Sequence, residues 1–173
     1  MNPYPFLLLL LLPFLSCKKD AAPVKFEMAY LNQEIEIQAG LNLFETHRYR
    51  IFDIPTDIET YLTTNGLEKE DVLSILPSQC RLINFSGNAR YNFLFEVSVR
   101  IFSRDNPDRS FEIFYDDAVP ENTGTSLRLI PNENDIKEFL LKDKFSIEVI
   151  LKRLRDVPSE FIRTRIELRF DAR

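Results

Sequence analysis

The sequence predicts a mainly β protein: an antiparallel β-sandwich with two short helices that cap or cross it. Three observations favour this all-β class. Apolar and polar residues alternate over 91–102 and again over 111–115. The same alternation recurs near the C-terminus, over 145–151 and 162–170. Helical periodicity is confined to short segments, which fits small helices held by packing against a sheet.

The predicted strands follow from this alternation. In chain order they cover residues 31–37, a segment from Tyr49, and residues 82–85, 91–102, 111–115, 126–130, 145–151 and 162–170. Turn-forming residues at 103–110 predict a hairpin between the strands around them. Residues 156–159, with Asp156 and Pro158, predict a second hairpin between the last two strands.

Two short helices are predicted between the strands. The first covers residues 67–76, with Val72, Leu73 and Leu76 on one face, and ends at Pro77. The second covers residues 135–141 and is expected to begin at an Asn134 cap, with its apolar face formed by Ile136, Phe139 and Leu140. Both are expected to cap the sheet.

Composition limits the chain to one ordinary globular domain and excludes some function classes. The chain has 173 residues, 45% of them hydrophobic and 28% charged, which is typical of a folded protein. A net charge of -5 argues against a nucleic-acid partner, which would need a broad basic surface. Only four glycines are present, so no phosphate-binding loop is predicted.

The N-terminus has the pattern of a signal peptide. Residues 6–15 form an uncharged apolar run of about ten residues, whereas a membrane-spanning helix needs roughly 20. The run ends at Ser16 and Cys17, and the sequence becomes polar at Lys18. We therefore predict a lipoprotein signal peptide at 1–16, a lipidated N-terminus and tether at 17–25, and a single domain at 26–173. The alternatives are an ordinary secretory signal or a cytosolic protein with an apolar N-terminus.

Two segments carry a resemblance to a known group of proteins. Phe14-Leu15-Ser16-Cys17 resembles the lipobox of bacterial lipoproteins, and residues 134–149 with 166–170 are similar to the C-terminal part of uncharacterised Bacteroidota lipoproteins. The resemblance implies a single β-sandwich behind a diacylglyceryl, palmitate-bearing Cys17. It also implies a membrane partner and a place in the cell envelope, at the outer membrane, on its periplasmic or outer face.

The second cysteine and the single histidine are weighed as catalytic candidates. A lipidated Cys17 leaves Cys80 without a disulfide partner, and Cys80 is predicted to be a buried, inert thiol rather than a nucleophile. Every His-based metal or triad site would need His47. No supporting motif surrounds it, so a hydrogen-bonded loop residue before the strand at Tyr49 is the preferred interpretation.

Two acidic groups are also considered. The first contains Asp105, Asn106 and Asp108, whose spacing fits an ordinary turn better than a calcium loop. The second contains Asp116, Asp117 and Glu121, which would have to converge across a cleft to hydrolyse a glycoside. Neighbouring residues of a strand point to opposite faces, so these carboxylates are expected to be solvated.

One basic face is predicted on the last strand, where Arg163, Arg165 and Arg169 share the polar side. With Lys152, Arg153 and Arg155 they form the basic concentration of an acidic chain, and an anion or acidic partner is one interpretation. Cross-strand pairing with Glu148 and Glu167 is the other. Sugar stacking would use the tyrosines, of which the candidates are Tyr30, Tyr49, Tyr61 and Tyr115.

The sequence therefore predicts a lipid-anchored, non-enzymatic interaction or structural module of the cell envelope. No cofactor and no metal are expected, and an envelope protein or glycan is the expected partner. The alternatives are a carbohydrate-binding module and a carboxylate-based hydrolase. A small-ligand binder is a further possibility, with an interior lined by Phe93 and Phe95.

Overall fold

The computed structural model describes residues 22–173, which form eight strands and two α-helices. The strands are β1 (Phe26–Ile37), β2 (His47–Pro55), β3 (Ile75–Asn84), β4 (Leu94–Ser103), β5 (Asn106–Asp116), β6 (Ser126–Pro131), β7 (Lys144–Leu154) and β8 (Ile162–Ala172). The helices are α1 (Ile58–Asn65) and α2 (Lys137–Leu140), and 3₁₀ turns cover Lys69–Asp71 and Tyr91–Phe93. Every pair of neighbouring strands is antiparallel, so the predicted mainly antiparallel β class is confirmed.

The strands form one sheet, which differs from the two separate sheets of the predicted sandwich. Their hydrogen-bonded order is β1-β8-β3-β6-β5-β4-β7-β2. Strands β5 and β6 pair only at Phe114–Pro131 and Tyr115–Ile130, yet this short ladder joins the two halves. The edge strands β1 and β2 lie against each other, so the sheet curls into a nearly closed, barrel-like form.

Inward-facing side chains fill the barrel. In β8 every second residue from Ile162 to Ala172 is buried, as the alternation predicts. The rings of Phe145 and Phe170 lie 6.3 Å apart, and Tyr30 packs edge-on against both at 4.9 and 5.9 Å. Aromatic packing of this kind contributes beyond the area that it buries.

The connections between strands lie at two ends of the barrel. The end that we call the helix end carries α1, α2 and the turn between β4 and β5. The opposite end, which we call the loop end, carries loops 38–46, 85–93, 117–125 and 155–161. Phe26 pairs with Ala172 at the helix end, so the chain enters the barrel there.

One of the two predicted hairpins is present. Strands β4 and β5 form the first, with a turn of only two residues, because Ser103 already pairs with Asn106. The second prediction is wrong: β7 pairs with β4 and β2, whereas β8 pairs with β3 and β1. Loop 155–161 therefore crosses the loop end instead of joining neighbouring strands.

The predicted helix at 67–76 is also wrong, because β3 begins at Ile75 and Pro77 lies in the strand beside a break in register. The helix at α1 was not predicted. The helix at α2 is confirmed in place, but Asn134 does not cap it. The Asn134 amide donates to the carbonyl of Glu112, and Asp135 accepts the backbone N–H of Lys137.

Candidate functional site

The predicted basic face lies on the outer side of β8, where each arginine has an acidic neighbour. The pairs are Arg163 with Glu34 at 3.5 Å, Arg165 with Glu167 at 4.0 Å, and Arg169 hydrogen-bonded to Glu27. Such exposed pairs contribute little to stability, but they neutralise the charges that an anion would need. Anion binding by Arg163, Arg165 and Arg169 stays a prediction.

The other three basic residues lie on and just after β7, which is not a neighbour of β8. Lys152 pairs with Glu96 and Glu112 at 3.1 and 3.2 Å. Arg153 lies over the ring of Phe95 at 4.5 Å, and Arg155 donates to the carbonyl of Leu94 at 2.5 Å. The six predicted basic residues thus lie on two separate parts of the sheet, and the three at β7 contact other residues of the protein.

Cys80 is buried in β3 between Leu129 and Leu168, as predicted, and it is free. Burial raises the pKa of its thiol, so the reactive thiolate is suppressed. His47 begins β2, with its Nε2 2.8 Å from the carbonyl oxygen of Asn42, in keeping with a hydrogen-bonded role. Within residues 22–173, no three His, Cys, Asp or Glu residues form a group that could hold a metal ion.

The acidic candidates lie at the two ends of β5 and in the connections beside them. Asp105 is in the β4–β5 turn, and Asn106 and Asp108 begin β5. Asp116 ends β5 and accepts the backbone N–H of Ala118 at 3.0 Å, while Asp117 and Glu121 are exposed in loop 117–125. These side chains are exposed or half-exposed at the surface, so the arrangement gives no support to hydrolysis between two carboxylates across a cleft.

The tyrosines are mostly unavailable as sugar platforms. Tyr30 is buried, and its hydroxyl donates to the carbonyl of Thr56 at 2.8 Å. The prediction that Tyr30 could stack on a sugar is therefore wrong. The ring of Tyr61 stacks on Phe26 at 5.8 Å. Tyr49 packs half-buried against the core. Tyr115 is half-exposed on β5.

The most exposed large apolar side chain of the described residues is Phe44, which sequence reasoning did not single out. It is 96% exposed and lies in loop 38–46 at the loop end. Asn42 fixes this loop, because its side-chain oxygen accepts the N–H of Phe44 at 3.0 Å and its amide donates to Glu45 at 2.8 Å. The Asn42-Leu43-Phe44 sequence carries the signal for such a turn.

A pocket of about 220 Å³ also opens at the loop end, between loops 85–93 and 155–161. Its base includes Phe93 and Ile162, which are almost fully buried. Polar groups stand around it, namely Arg90, Asn92, Asp156 and Ser159. The loop end thus combines an exposed aromatic side chain with a small polar-rimmed pocket.

The helix end carries the entry of the chain into the barrel. The predicted signal peptide and Cys17 lie outside the described residues. Among residues 22–173, no helix is both long enough and apolar enough to cross a membrane.

The sequence matches no known protein-family model and no curated protein.

Proposed function

We propose that this protein is a lipid-anchored, non-enzymatic module of the bacterial cell envelope that binds a protein partner through its loop end. The observation that supports this proposal most directly is the placement of Phe44. It is 96% exposed and lies at the end of the barrel opposite the point where the chain enters.

The anchor orients the barrel in this proposal. A lipid on Cys17 would be joined to β1 by the short tether 17–25. The helix end would then face the bilayer. Strand β1 has 12 residues, and at about 3.3 Å per residue it spans roughly 40 Å. The loop end would therefore project away from the membrane, where a second envelope protein can reach it.

The loop end has the features of a protein-binding surface. Aromatic side chains that enter a pocket of the partner contribute much of the energy of an interface. The turn that carries Phe44 needs little ordering on binding, because Asn42 accepts the backbone N–H of Phe44 and donates to Glu45. Phe85, Val157 and Phe161 add exposed apolar surface at the same end. The solvated carboxylates and buried Tyr30 favour this role over hydrolysis or glycan stacking.

A site-specific photo-cross-linker tests the proposal in intact cells. We expect a benzoyl-phenylalanine at position 44 of the full chain to give a discrete cross-linked adduct. The matched position is Leu73, which is 65% exposed at the helix end and should give none. The absence of an adduct from position 44, or equal adducts from both positions, would contradict binding through the loop end.

A further inference from the structure

The loop-end pocket has walls that the fold holds in place. Loop 155–161 is fixed from below, where the carbonyl oxygen of Phe93 accepts the N–H of Arg155 at 2.7 Å, and from the side, where Gly40 donates to Pro158 at 3.0 Å. Loop 85–93 is fixed by Asn84, whose amide donates to the carbonyl of Ala89 at 2.8 Å. A pocket with fixed walls loses little conformational entropy when a ligand enters it.

Two opposite charges line this pocket without neutralising each other. Arg90 and Asp156 both line it, yet no ion pair joins them. Arg155 and Arg163, at the same end, are occupied by backbone carbonyls and by Glu34. Among the described residues Arg90 has no hydrogen bond, ion pair or aromatic contact. The carboxylate of Asp156 accepts only the N–H of Val157, at 2.7 Å, which leaves its second oxygen free.

We propose that this pocket binds a small zwitterion of the amino-acid or dipeptide class. Arg90 contacts the carboxylate of the ligand and Asp156 contacts its ammonium group. Guanidinium and carboxylate groups form charge-assisted hydrogen bonds with these partners. Asn92 and Ser159 line the same pocket and offer further donors and acceptors, and Val157 provides apolar contact for an aliphatic side chain.

Other ligand classes fit the pocket less well. Asp156 would repel a phosphate or sulfate that approached Arg90. A sugar would be expected to stack on an aromatic face, but the aromatic residue of the pocket, Phe93, is only 5% exposed. The volume of about 220 Å³ lies below the usual 300 to 1,000 Å³ of drug-sized sites, which suits a ligand of one or two residues.

Nuclear magnetic resonance titration of the full chain in a mild detergent tests this inference. The probes are pools of the free amino acids and of dipeptides at millimolar concentration, where weak sites become visible. We expect at least one pool to shift the amide signals of loops 85–93 and 155–161. N-acetylation or amidation of the responding compound should weaken its binding at least tenfold, because each removes one charge.

Matched variants connect the binding to the two charges. Arg90→Gln and Asp156→Asn should each weaken binding at least tenfold, and Asn at position 156 can still accept the N–H of Val157. Arg128→Gln and Asp117→Asn, which change exposed residues outside the pocket, should leave binding unchanged. No shift from any pool, or equal binding to the Arg90 and Asp156 variants, would overturn the inference. It depends on neither Cys17 nor Phe44, so it can fail while the proposed function stands.

Discussion

Glu148 illustrates how a single charged residue is accommodated on the outer face of the sheet. The alternation of β7 predicts that it points away from the core, yet it is only 6% exposed. Arg48 and Arg50 of β2 cover it and donate to its two carboxylate oxygens at 2.8 and 2.7 Å. The sequence pattern predicts the face on which a residue lies. It cannot predict partners that are about 100 residues away, because those depend on which strands become neighbours.

We expect Glu148→Ala to lower the free energy of unfolding by about 1 to 2 kcal/mol. Hydrogen bonds to charged groups contribute about 1.5 to 3 kcal/mol, and the half-exposed arginines reduce this value. Glu34→Ala, which removes an exposed partner of Arg163, should change it by about 0.5 kcal/mol or less. Urea denaturation measures both. Equal effects of the two variants would show that the burial of Glu148 has no energetic consequence.

Cys80 should remain unreactive in the folded protein. Its burial raises the pKa of the thiol, so even mildly alkaline pH produces little thiolate until the barrel unfolds. In Cys17→Ala, where Cys80 is the single remaining thiol, we expect no reaction with a bulky disulfide reagent under native conditions. Full reaction is expected in denaturant. Rapid native labelling that accelerates between pH 7 and 9 would contradict an inert, buried position.

At the scale of elements, strands are more predictable than the helices and connections between them. The alternation in β8 is regular because one face lies on the core throughout. The sequence also contains a signal for the end of helix α1, namely Gly66, which caps the helix with φ +65°. Leu67 donates to the carbonyl of Leu62, which completes a Schellman motif. The helix predicted at 67–76 is wrong because Pro77 has two possible meanings. Proline commonly ends a helix, but it is also tolerated in a strand beside a break in register, which is where Pro77 lies.

The loop before β4 is attached to β8 by a buried hydrogen bond, in which the hydroxyl of Tyr91 donates to that of Thr164 at 2.8 Å. We expect Tyr91→Phe and Thr164→Val each to lower the free energy of unfolding by about 1 to 2 kcal/mol, since each leaves one buried group without its partner. The double variant should lose less than the sum of the two. Denaturant unfolding of all four proteins measures the coupling, and strict additivity would show that the hydroxyls do not interact.

At the scale of the whole molecule, local patterns do not determine the order of strands. Residues 145–151 and 162–170 look like a hairpin because a short turn-like segment separates them. In the barrel, β7 and β8 belong to opposite halves of the sheet, which meet at the short β5–β6 ladder. Loop 155–161, which makes this crossing, forms one wall of the loop-end pocket, so the pocket was less predictable than the strands. The predicted arginine face was recognisable because it lies within one strand.

Membrane attachment of the whole molecule is expected to depend on Cys17. Residues 6–15 are too short to span a bilayer, and among residues 22–173 no helix could do so. The chain is acidic overall, so attraction to an anionic membrane surface would not retain the barrel. Two or more acyl chains hold a protein stably on a membrane, whereas one chain binds only marginally. We therefore propose that a lipid on Cys17 attaches the protein to the membrane.

We therefore expect Cys17→Ala to move the protein from the membrane fraction into a soluble or unprocessed pool and to abolish incorporation of labelled palmitate. Wild-type protein should sediment with membranes and take up the label. Cys80→Ala is the matched control, because it removes the other cysteine and should change neither readout. If wild type and Cys17→Ala sediment equally and neither takes up label, the protein is not a lipoprotein. The loop end would then belong to a secreted domain that no lipid orients.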